Sequence, residues 1–206
     1  MKTYIIWVDE AGRGAWAGPV VAWAFCVWVD FDFSCFPWLT DSKKLTPKDR
    51  DRLYELISHA APEDVVFAVG IQDAMVIDRV GIREANRLAM QDALTHILEK
   101  ISQSEIIEIQ IDGRDNYRFD SIAREKVRYI VRGDLTEPVI SAASILAKVT
   151  RDRMMCDFSL KYSGYDFHLH KGYGTSKHQN ALLTYGITSL HRKSYAPIKR
   201  LISHDS

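Results

Sequence analysis

The decisive stretch of the sequence is Trp7-Val8-Asp9-Glu10-Ala11-Gly12-Arg13-Gly14-Ala15-Trp16-Ala17-Gly18-Pro19. In it, the apolar run Tyr4–Val8 ends at two adjacent carboxylates, and a glycine-flanked arginine follows. A strand that delivers two acids into a flexible turn suits a divalent cation. Arg13 stands where a phosphate or a sugar hydroxyl could lie near that cation. On spacing alone, an ordinary solvated turn fits equally well.

The composition is that of a globular protein of one large domain, with or without a small C-terminal extension. The chain has 206 residues, of which 47% are hydrophobic and 26% charged. No apolar run is long enough to span a membrane, and the residues before Asp9 do not have the pattern expected of a cleavable leader. The three cysteines form no C-x-x-C pair, which favours a reducing compartment and predicts a cytoplasmic protein.

The charge of the chain is balanced overall but divided unevenly. Lys and Arg together number 27, as do Asp and Glu. Residues 148–206 contain ten Lys or Arg against four Asp or Glu, a net charge of +6, so residues 1–147 carry −6. A basic last third beside an acidic body predicts an anionic partner, for which nucleic acid is the natural candidate.

Hydrophobic patterns predict an α/β layered domain with a mixed sheet. The predicted strands cover residues 3–9, 19–29, 65–71, 106–111 and 127–131. The predicted helices cover residues 47–60, 74–78, 81–102, 138–162 and 177–185. The short link between the first two strands predicts that they are antiparallel neighbours.

Local signals mark where several helices begin and which faces they bury. Thr46 followed by Pro47 predicts the start of the first helix, and Ser176 is predicted to cap the last one. The inner face of the first helix is predicted to comprise Leu53, Leu56 and Ile57. The inner stripe of the 81–102 helix is predicted to comprise Ile82, Ala85, Leu88, Ala89, Ala93, Ile97, Leu98 and Ile101.

Acidic residues end three of the predicted strands. Asp9, Asp112 and Asp134 each close an apolar run, and ligand sites in open α/β sheets gather at strand ends. With Glu10 they make a four-carboxylate set whose hard oxygen atoms suit Mg²⁺ or Mn²⁺. Two such ions could cleave a phosphodiester. The alternative is a group of separate loop acids, since Asp-Gly and Gly-Asp pairs are common in turns.

Other candidate sites have weaker patterns. His168 and His170 alternate along the chain, but with no further ligand nearby they are predicted to lie in a surface loop. Asp152, between two arginines, is predicted to form a solvated ion pair.

Several motifs together resemble bacterial ribonuclease HII, and they run in the family's order over about residues 4–195. The motifs are Asp9–Gly14 with Ala17–Val21, Asp41–Leu45, Ile111–Gly113, Gly133-Asp134, Ser141–Arg153 and Lys171–Thr175. The opening motif argues against the ribonuclease HIII relative.

This resemblance implies a ribonuclease H-like fold, with a mixed five-stranded sheet flanked by helices. It implies a single domain over residues 1–206, in which about residues 163–206 form a helical extension. The implied activity is endonucleolytic cleavage of RNA paired with DNA, including cleavage 5′ of a lone ribonucleotide in duplex DNA. Two Mg²⁺ or Mn²⁺ ions would take part, leaving 3′-hydroxyl and 5′-phosphate ends.

The resemblance also assigns roles to individual residues. The metal-binding catalytic set would be Asp9, Glu10, Asp112 and Asp134. The ribose 2′-hydroxyl would be read, largely through backbone, by Gly12, Arg13 and Gly14. Tyr173 would stack at the RNA–DNA junction, Lys43 and Lys44 would contact phosphate, and Lys148 and Asp152 are candidates for supporting the metal ligands from behind.

Two departures from the family pattern bear on the site. Ala15-Trp16 stands where the family usually has proline followed by a small or aliphatic residue, so Trp16 is expected to change the shape of the site. The loop of residues 30–40 is longer and more aromatic than expected. The protein is expected to be a monomer, and residues 196–206 show no clear sliding-clamp motif. The rival functions are another metal-dependent nuclease of the same broad fold and a nucleic-acid-binding module without catalysis.

Overall fold

The computed structural model describes residues 2–32, 34, 45–59, 65–120, 122–130 and 138–204. The strands are β1 (Tyr4–Ala11), β2 (Val20–Trp28), β3 (Val65–Gln72), β4 (Ile106–Asp112) and β5 (Val127–Ile130). The helices are α1 (Pro47–Ser58), α2 (Ala74–Val80), α3 (Ile82–Leu98), α4 (Pro138–Lys161), α5 (Phe167–His170), α6 (Ser176–Tyr185) and α7 (Ala196–His204). Within these ranges, no helix is both long and apolar enough to cross a membrane.

The five strands form one mixed sheet in the order β3-β2-β1-β4-β5. β1 runs antiparallel to β2 and parallel to β4. β3 runs antiparallel to β2, and β5 runs parallel to β4. The predicted mixed sheet and the antiparallel first pair are therefore confirmed. Val8 pairs with Ile111, so the next residues of the two strands, Asp9 and Asp112, lie at the same level of the sheet.

Helices cover both faces of the sheet. On one face, α3 buries its alanine-rich side chiefly against β3 and β2, with a smaller contact to β1. The apolar cluster on this face includes Ile6, Val8, Ala22, Ala24, Ala85, Ala89, Met90, Ala93, Ile109 and Ile111. On the other face, α4 packs on β1 and β2, and the cluster includes Trp7, Val21, Trp23, Phe25, Ala142, Ala143, Leu146 and Ala147. The small residues of both helices let them approach the strands closely.

For helix α1, the predicted starting residue is correct, whereas the predicted buried face is only partly correct. Thr46 caps α1 in a capping box with Asp49, as predicted. The prediction that Leu56 lies on the inner face is wrong: it is 42% exposed, while Leu53 and Ile57 are buried. α1 packs on α4 through Leu53, and Leu56 lies outside that contact. At α6 the cap is Thr175, whose side chain accepts from His178 N, and Ser176 is the first helical residue.

The stripe predicted for residues 81–102 is incomplete. α3 begins at Ile82 and ends at Leu98, so Ile101 lies beyond it, although it is buried. The buried set also includes Asn86, Met90 and Leu94. These continue from Ile82 at four-residue steps, so the helix buries a wider face than the one predicted. α2 likewise continues beyond the predicted Asp78 to Val80.

The C-terminal helices surround a smaller apolar cluster of their own. It contains Ala17, Met155, Tyr165, Phe167, Ala181, Leu182 and Ile198. Ala17 belongs to the turn after β1, so this cluster packs the C-terminal segment directly against that turn. The sequence patterns do not predict α5 and α7, because α5 has only four residues and α7 follows a basic segment that resembles a tail.

We expect Gly70→Ala to destabilise the protein by about 1–3 kcal/mol or more, because there is no room for a methyl group. A Cβ on Gly70 of β3 would lie 1.9 Å from the Ala89 carbonyl oxygen of α3. The measurement is the urea unfolding midpoint. Ile71→Ala, at a neighbouring position that is 40% exposed, is the control and should cost less than about 1 kcal/mol. Equal destabilisation of the two variants would show that α3 can move away from the sheet.

Candidate active site

Asp9 lies within β1, in agreement with the predicted strand of residues 3–9. Glu10, which that prediction placed just beyond the strand, also belongs to it, because β1 continues through Ala11. Asp9 is only 6% exposed. Its carboxylate accepts a hydrogen bond from the Glu10 backbone N–H at 2.7 Å and another from the Ser144 side chain of α4. Strands and helices therefore enclose this acid instead of leaving it in a solvated turn.

The carboxylates of β1 and β4 share one electrostatic field. Burial, then Glu10, then Asp112 raise the pKa of Asp9 well above its usual value. Burial also raises the pKa of Glu10, against the opposing effect of the Arg13 guanidinium. Desolvated like charges destabilise one another unless a cation neutralises them. The arrangement is therefore unfavourable for the fold by itself and favourable for binding a cation.

The donor atoms fit a hard divalent cation. Glu10 Oε2 is buried and has no hydrogen-bond partner among the described residues. The neighbouring donors from Asp9 and Asp112 are carboxylate oxygens, the ligand type that Mg²⁺ and Mn²⁺ prefer. Within the described ranges, no three His, Cys, Asp or Glu side chains already form a compact metal-binding group. Asp134, the fourth predicted ligand, lies outside the described residues, as do Lys43 and Lys44.

A polar network that the sequence patterns missed supports Glu10. Asn86 of α3 is fully buried and donates to the Tyr117 hydroxyl at 3.2 Å. It also lies beside Glu10, where it partly opposes the rise in the pKa of Glu10 that burial causes. Tyr117 in turn donates to Asp115, which pairs with Arg13 at 2.7 Å. One signal was available: Asn86 is a polar residue at a four-residue step from Ile82 and Met90.

The turn after β1 closes tightly over an arginine from α4. Gly12 has φ +95°, and a Cβ there would lie 2.0 Å from Arg151 Nε, so only glycine fits. Ala15 N–H donates to the Gly12 carbonyl at 3.3 Å. The N–H groups of Arg13 and Gly14 find no acceptor among the described residues, so both can bind an incoming hydroxyl.

Two buried arginines hold this turn through its carbonyl groups. Arg151, 1% exposed, donates to the carbonyls of Ala17, Pro19 and Lys171. Arg192, fully buried, donates to those of Arg13, Gly18 and Pro19. In a trans peptide the C=O and the following N–H point in opposite directions. The inward carbonyl of Arg13 therefore turns the Gly14 N–H away from Arg192.

These contacts use two of the cations of the basic last third within the protein itself. Arg151 and Arg192 are structural, and neither is available to phosphate. Asp152 does form an ion pair, but with Lys148 one helical turn earlier, at 2.6 Å, and not with its arginine neighbours.

A cleft of about 360 Å³ brings several of the predicted residues together. Its lining comprises Glu10, Ala11, Gly12, Arg13, Gly14, Arg50, Ser144, Lys148 and Tyr173. Tyr173 is 38% exposed, and its ring lies 5.4 Å from the Arg151 guanidinium. An acid at a strand end, a glycine turn and an accessible aromatic ring therefore share one surface depression.

Comparison with known proteins identifies the family of this chain. A model of the ribonuclease HII family matches residues 6–198. The chain belongs to the ribonuclease HII family. It is 44% identical over 198 residues to the ribonuclease HII of Dichelobacter nodosus, covering 96% of this chain and 97% of the relative. It is 42% identical to that of Halorhodospira halophila, covering 96% and 94%. As a member of this family it is a type 2 ribonuclease H, an endonuclease that acts on RNA–DNA hybrids.

Solved structures share the fold at low sequence identity. The ribonuclease H2 from Pyrococcus horikoshii OT3 has a TM-score of 0.77 at 22% identity, covering 98% of both chains. Bst-RNase HIII in complex with Mn²⁺ has a TM-score of 0.77 at 21% sequence identity, covering 98% of this chain and 70% of that one. The RNase HII in the PCNA:RNase HII complex from Archaeoglobus fulgidus gives 0.70 at 23%, covering 93% and 94%. The ribonuclease H-like fold is confirmed.

Trp16, where this chain departs from the family pattern, supports the loop that carries Tyr173. The backbone N–H of Trp16 donates to the Gly172 carbonyl at 2.8 Å. A Cβ on Gly174 would lie 2.1 Å from the indole ring, and the ring centroid is 5.8 Å from that of His178. Trp16 does not line the described cleft. It therefore affects the site indirectly, by packing against the loop that carries Tyr173.

Three buried histidines lie under the same loop. The prediction that His170 lies in a surface loop is wrong: it is 8% exposed, belongs to α5 and stacks on His178 at 4.5 Å. Thr188 N–H donates to His191 Nδ1, so His191 Nε2 carries the proton and donates to His178 Nε2 at 3.0 Å. His178 Nδ1 then donates to the Tyr173 carbonyl at 3.0 Å. Neutral imidazoles thus fix the backbone of Tyr173.

The stability of the protein should fall as the pH drops from about 6.5 towards 4. Burial first, then the neighbouring histidine, lowers the pKa of His178 and His191 from 6.5 to about 4. Between these values the unfolded chain binds protons that the folded chain excludes, so the stabilisation is complete above pH 6.5 and lost below. The loss is at most about 3 kcal/mol for each histidine.

The measurement is the unfolding free energy of wild type and His191→Gln at pH 7 and pH 5. The variant should show a smaller difference between the two pH values. His96→Gln, at an exposed position of α3, should keep the wild-type difference. A wild-type pH dependence in His191→Gln would contradict the assigned role.

Proposed function

We propose that this enzyme hydrolyses the RNA strand of RNA–DNA hybrids and cuts 5′ of single ribonucleotides embedded in duplex DNA. The observation that carries the proposal is the cleft in which Glu10, the Gly12–Gly14 turn and Tyr173 meet. An acid that can help to hold a cation lies there beside groups suited to sense a ribose and to stack on a base. A cutter of DNA alone would have no use for the ribose-sensing turn.

The proposed metal ligands are Asp9, Glu10, Asp112 and Asp134. Two Mg²⁺ or Mn²⁺ ions held there would supply activation of water and neutralisation of charge at the scissile phosphate. The protein keeps the acids desolvated and in register by placing Asp9 and Asp112 on adjacent parallel strands. Hydrolysis adds the oxygen of water to phosphorus and breaks the bond to the 3′ oxygen, which leaves as a 3′-hydroxyl beside a 5′-phosphate.

The turn after β1 is the proposed reader of the 2′-hydroxyl. The N–H groups of Arg13 and Gly14 can donate to that hydroxyl, whereas the Arg13 side chain is committed to Glu10 and Asp115 at 3.3 and 2.7 Å. Backbone therefore does the reading, and the guanidinium holds the turn near the acids. A wide minor groove displays 2′-hydroxyls to such a turn. Contacts to sugar and phosphate carry little sequence information, so bases should hardly be discriminated.

Further proposals concern the surroundings of this site. Lys43 and Lys44 are proposed to contact phosphate, and Lys148 with Asp152 to support the metal ligands. We propose a single domain over residues 1–206, working as a monomer in the cytoplasm, in which about residues 163–206 extend the catalytic core. The packing of the C-terminal cluster on Ala17 supports that view of the domain. The solved PCNA:RNase HII complex makes a sliding clamp a proposed partner.

One assay separates the proposal from its rivals. A DNA duplex with one ribonucleotide is incubated with the protein and Mg²⁺ or Mn²⁺, beside an all-DNA duplex and a sample with EDTA. We expect a single cut 5′ of the ribonucleotide only in the metal-containing sample. Cutting of both duplexes would favour a general nuclease, and binding without cutting would favour a non-catalytic module.

Asp9→Asn should abolish cleavage, with a loss of at least about 100-fold, because a metal ligand is removed. Duplex binding should be largely retained. The melting temperature in EDTA should rise, since the charged form of Asp9 is disfavoured in the fold and asparagine removes that charge. Asp157→Asn, at an exposed position of α4, is the control and should change neither the cleavage rate, nor duplex binding, nor the melting temperature. A near-wild-type rate for Asp9→Asn would remove Asp9 from the site.

Tyr173→Ala should slow cleavage at a lone ribonucleotide by about five- to 150-fold, because stacking on a base is worth ~1–3 kcal/mol. Tyr173→Phe keeps the ring and should retain most of the activity. The measurement is kcat/KM on a duplex with one ribonucleotide. Equal rates for Tyr173→Ala and wild type would show that the ring does not contact the substrate.

A further inference from the structure

A second, larger cleft is lined by residues that come shortly after Asp112 in the chain. It has a volume of about 670 Å³ and lies between the loop of residues 114–120 and β5, with Ile122 and Arg124 also in its lining. The residues of its lining that matter here are Arg114, Asn116, Arg118, Phe119, Arg124 and Tyr129. The loop is firmly attached, because the Tyr129 hydroxyl donates to the Tyr117 carbonyl at 2.9 Å and Arg87 donates to that of Arg118 at 3.3 Å.

Three cationic side chains of this cleft are available to a ligand. Arg114, Arg118 and Arg124 are exposed, and within the described part of the chain no carboxylate pairs with any of them. Other arginines nearby are already committed: Arg13 and Arg83 contact Asp115, and Arg87 contacts Glu84. This group of unpaired positive charges lies in a part of the sequence, residues 1–147, that carries a net charge of −6.

The cleft is joined to the candidate active site by chain adjacency and by a chain of polar contacts. Gly113, hydrogen-bonded to the Ile130 carbonyl at 3.0 Å, is the single residue between Asp112 and Arg114. Tyr117, which lines the cleft, donates to Asp115, and Asp115 pairs with Arg13 of the turn. A nucleic acid with its scissile phosphate at the acids would therefore pass close to these arginines if it extends towards the β5 edge.

We propose that this arginine cleft binds the phosphate backbone of the substrate duplex on one side of the cut. The inference rests on the proposed function and adds a binding site to it. Guanidinium groups bind phosphate through paired hydrogen bonds, and they would offset the repulsion between an anionic duplex and the buried carboxylates. The cleft would bind backbone, so it adds affinity without sequence preference.

The test is equilibrium binding of a fluorescent DNA duplex containing one ribonucleotide, in EDTA, over a range of KCl concentrations. For Arg114→Gln/Arg118→Gln/Arg124→Gln we expect about tenfold or greater weakening near 0.1 M salt. The slope of log K against log salt should decrease by about 0.9 for each phosphate that the variant no longer neutralises. An unchanged affinity and slope would overturn the proposal and point to a different occupant of the cleft, such as an acidic peptide.

Two controls locate the effect. Lys2→Gln/Lys100→Gln removes charge before β1 and after α3, at the opposite end of the sheet, and should leave binding unchanged. Duplexes shortened on one side of the ribonucleotide should bind wild type as weakly as the triple variant binds the full duplex, and shortening should not weaken binding by the triple variant any further. Additive effects would place the arginines away from that arm of the duplex and overturn the proposal.

Cleavage with Mg²⁺ or Mn²⁺ separates this inference from the proposed function. The triple variant should show a higher KM and an unchanged kcat. If wild type fails to cut the ribonucleotide-containing duplex, the proposed function fails. If wild type cuts and the triple variant has the same KM, only the arginine cleft is refuted.

Discussion

The hydrogen bonds from two buried guanidinium groups to the backbone of one turn are the constraint on which the site depends. Burying a charge is costly unless its donors are satisfied, and here the partners of Arg151 and Arg192 are mostly carbonyl oxygens of residues 13–19. Burial lowers the pKa of Arg151 to about 10, so it stays charged at neutral pH. Because these carbonyls face inward, the turn presents N–H groups and glycine backbone to the cleft.

The carboxylates impose the opposite kind of constraint. Asp9 and Glu10 are desolvated beside Asp112, an arrangement that disfavours their charged forms. Two parallel strands in register hold them together, and α3 and α4 cover them from both faces. If these three side chains hold the cation as proposed, the same desolvation that lowers the stability of the metal-free protein favours cation binding.

Local chemistry explains which parts of this structure could be predicted from the sequence. Strands, the Thr46 cap and the closeness of Asp9 to Asp112 follow from patterns within a few residues and from the rule that parallel strands end at one edge. Leu56 could not be placed, because its exposure depends on where α4 packs. Arg151 and Arg192 could not be identified as buried, since their partners lie 132 to 179 residues away for the turn contacts. Asn86 was recoverable in principle, as a polar residue within an apolar stripe.

The long reach of Arg192 has a consequence for how the protein is made. Its hydrogen bond to the Arg13 carbonyl spans 179 residues. At a synthesis rate of about 5–20 residues per second, the turn emerges from the ribosome roughly 9–36 seconds before the arginine that holds it. A nascent chain can thus pair its strands while the Gly12–Gly14 turn still lacks the arginine that holds it. The turn is therefore completed only near the end of synthesis, and a translation product truncated before Arg192 would lack the group that fixes the backbone of the turn.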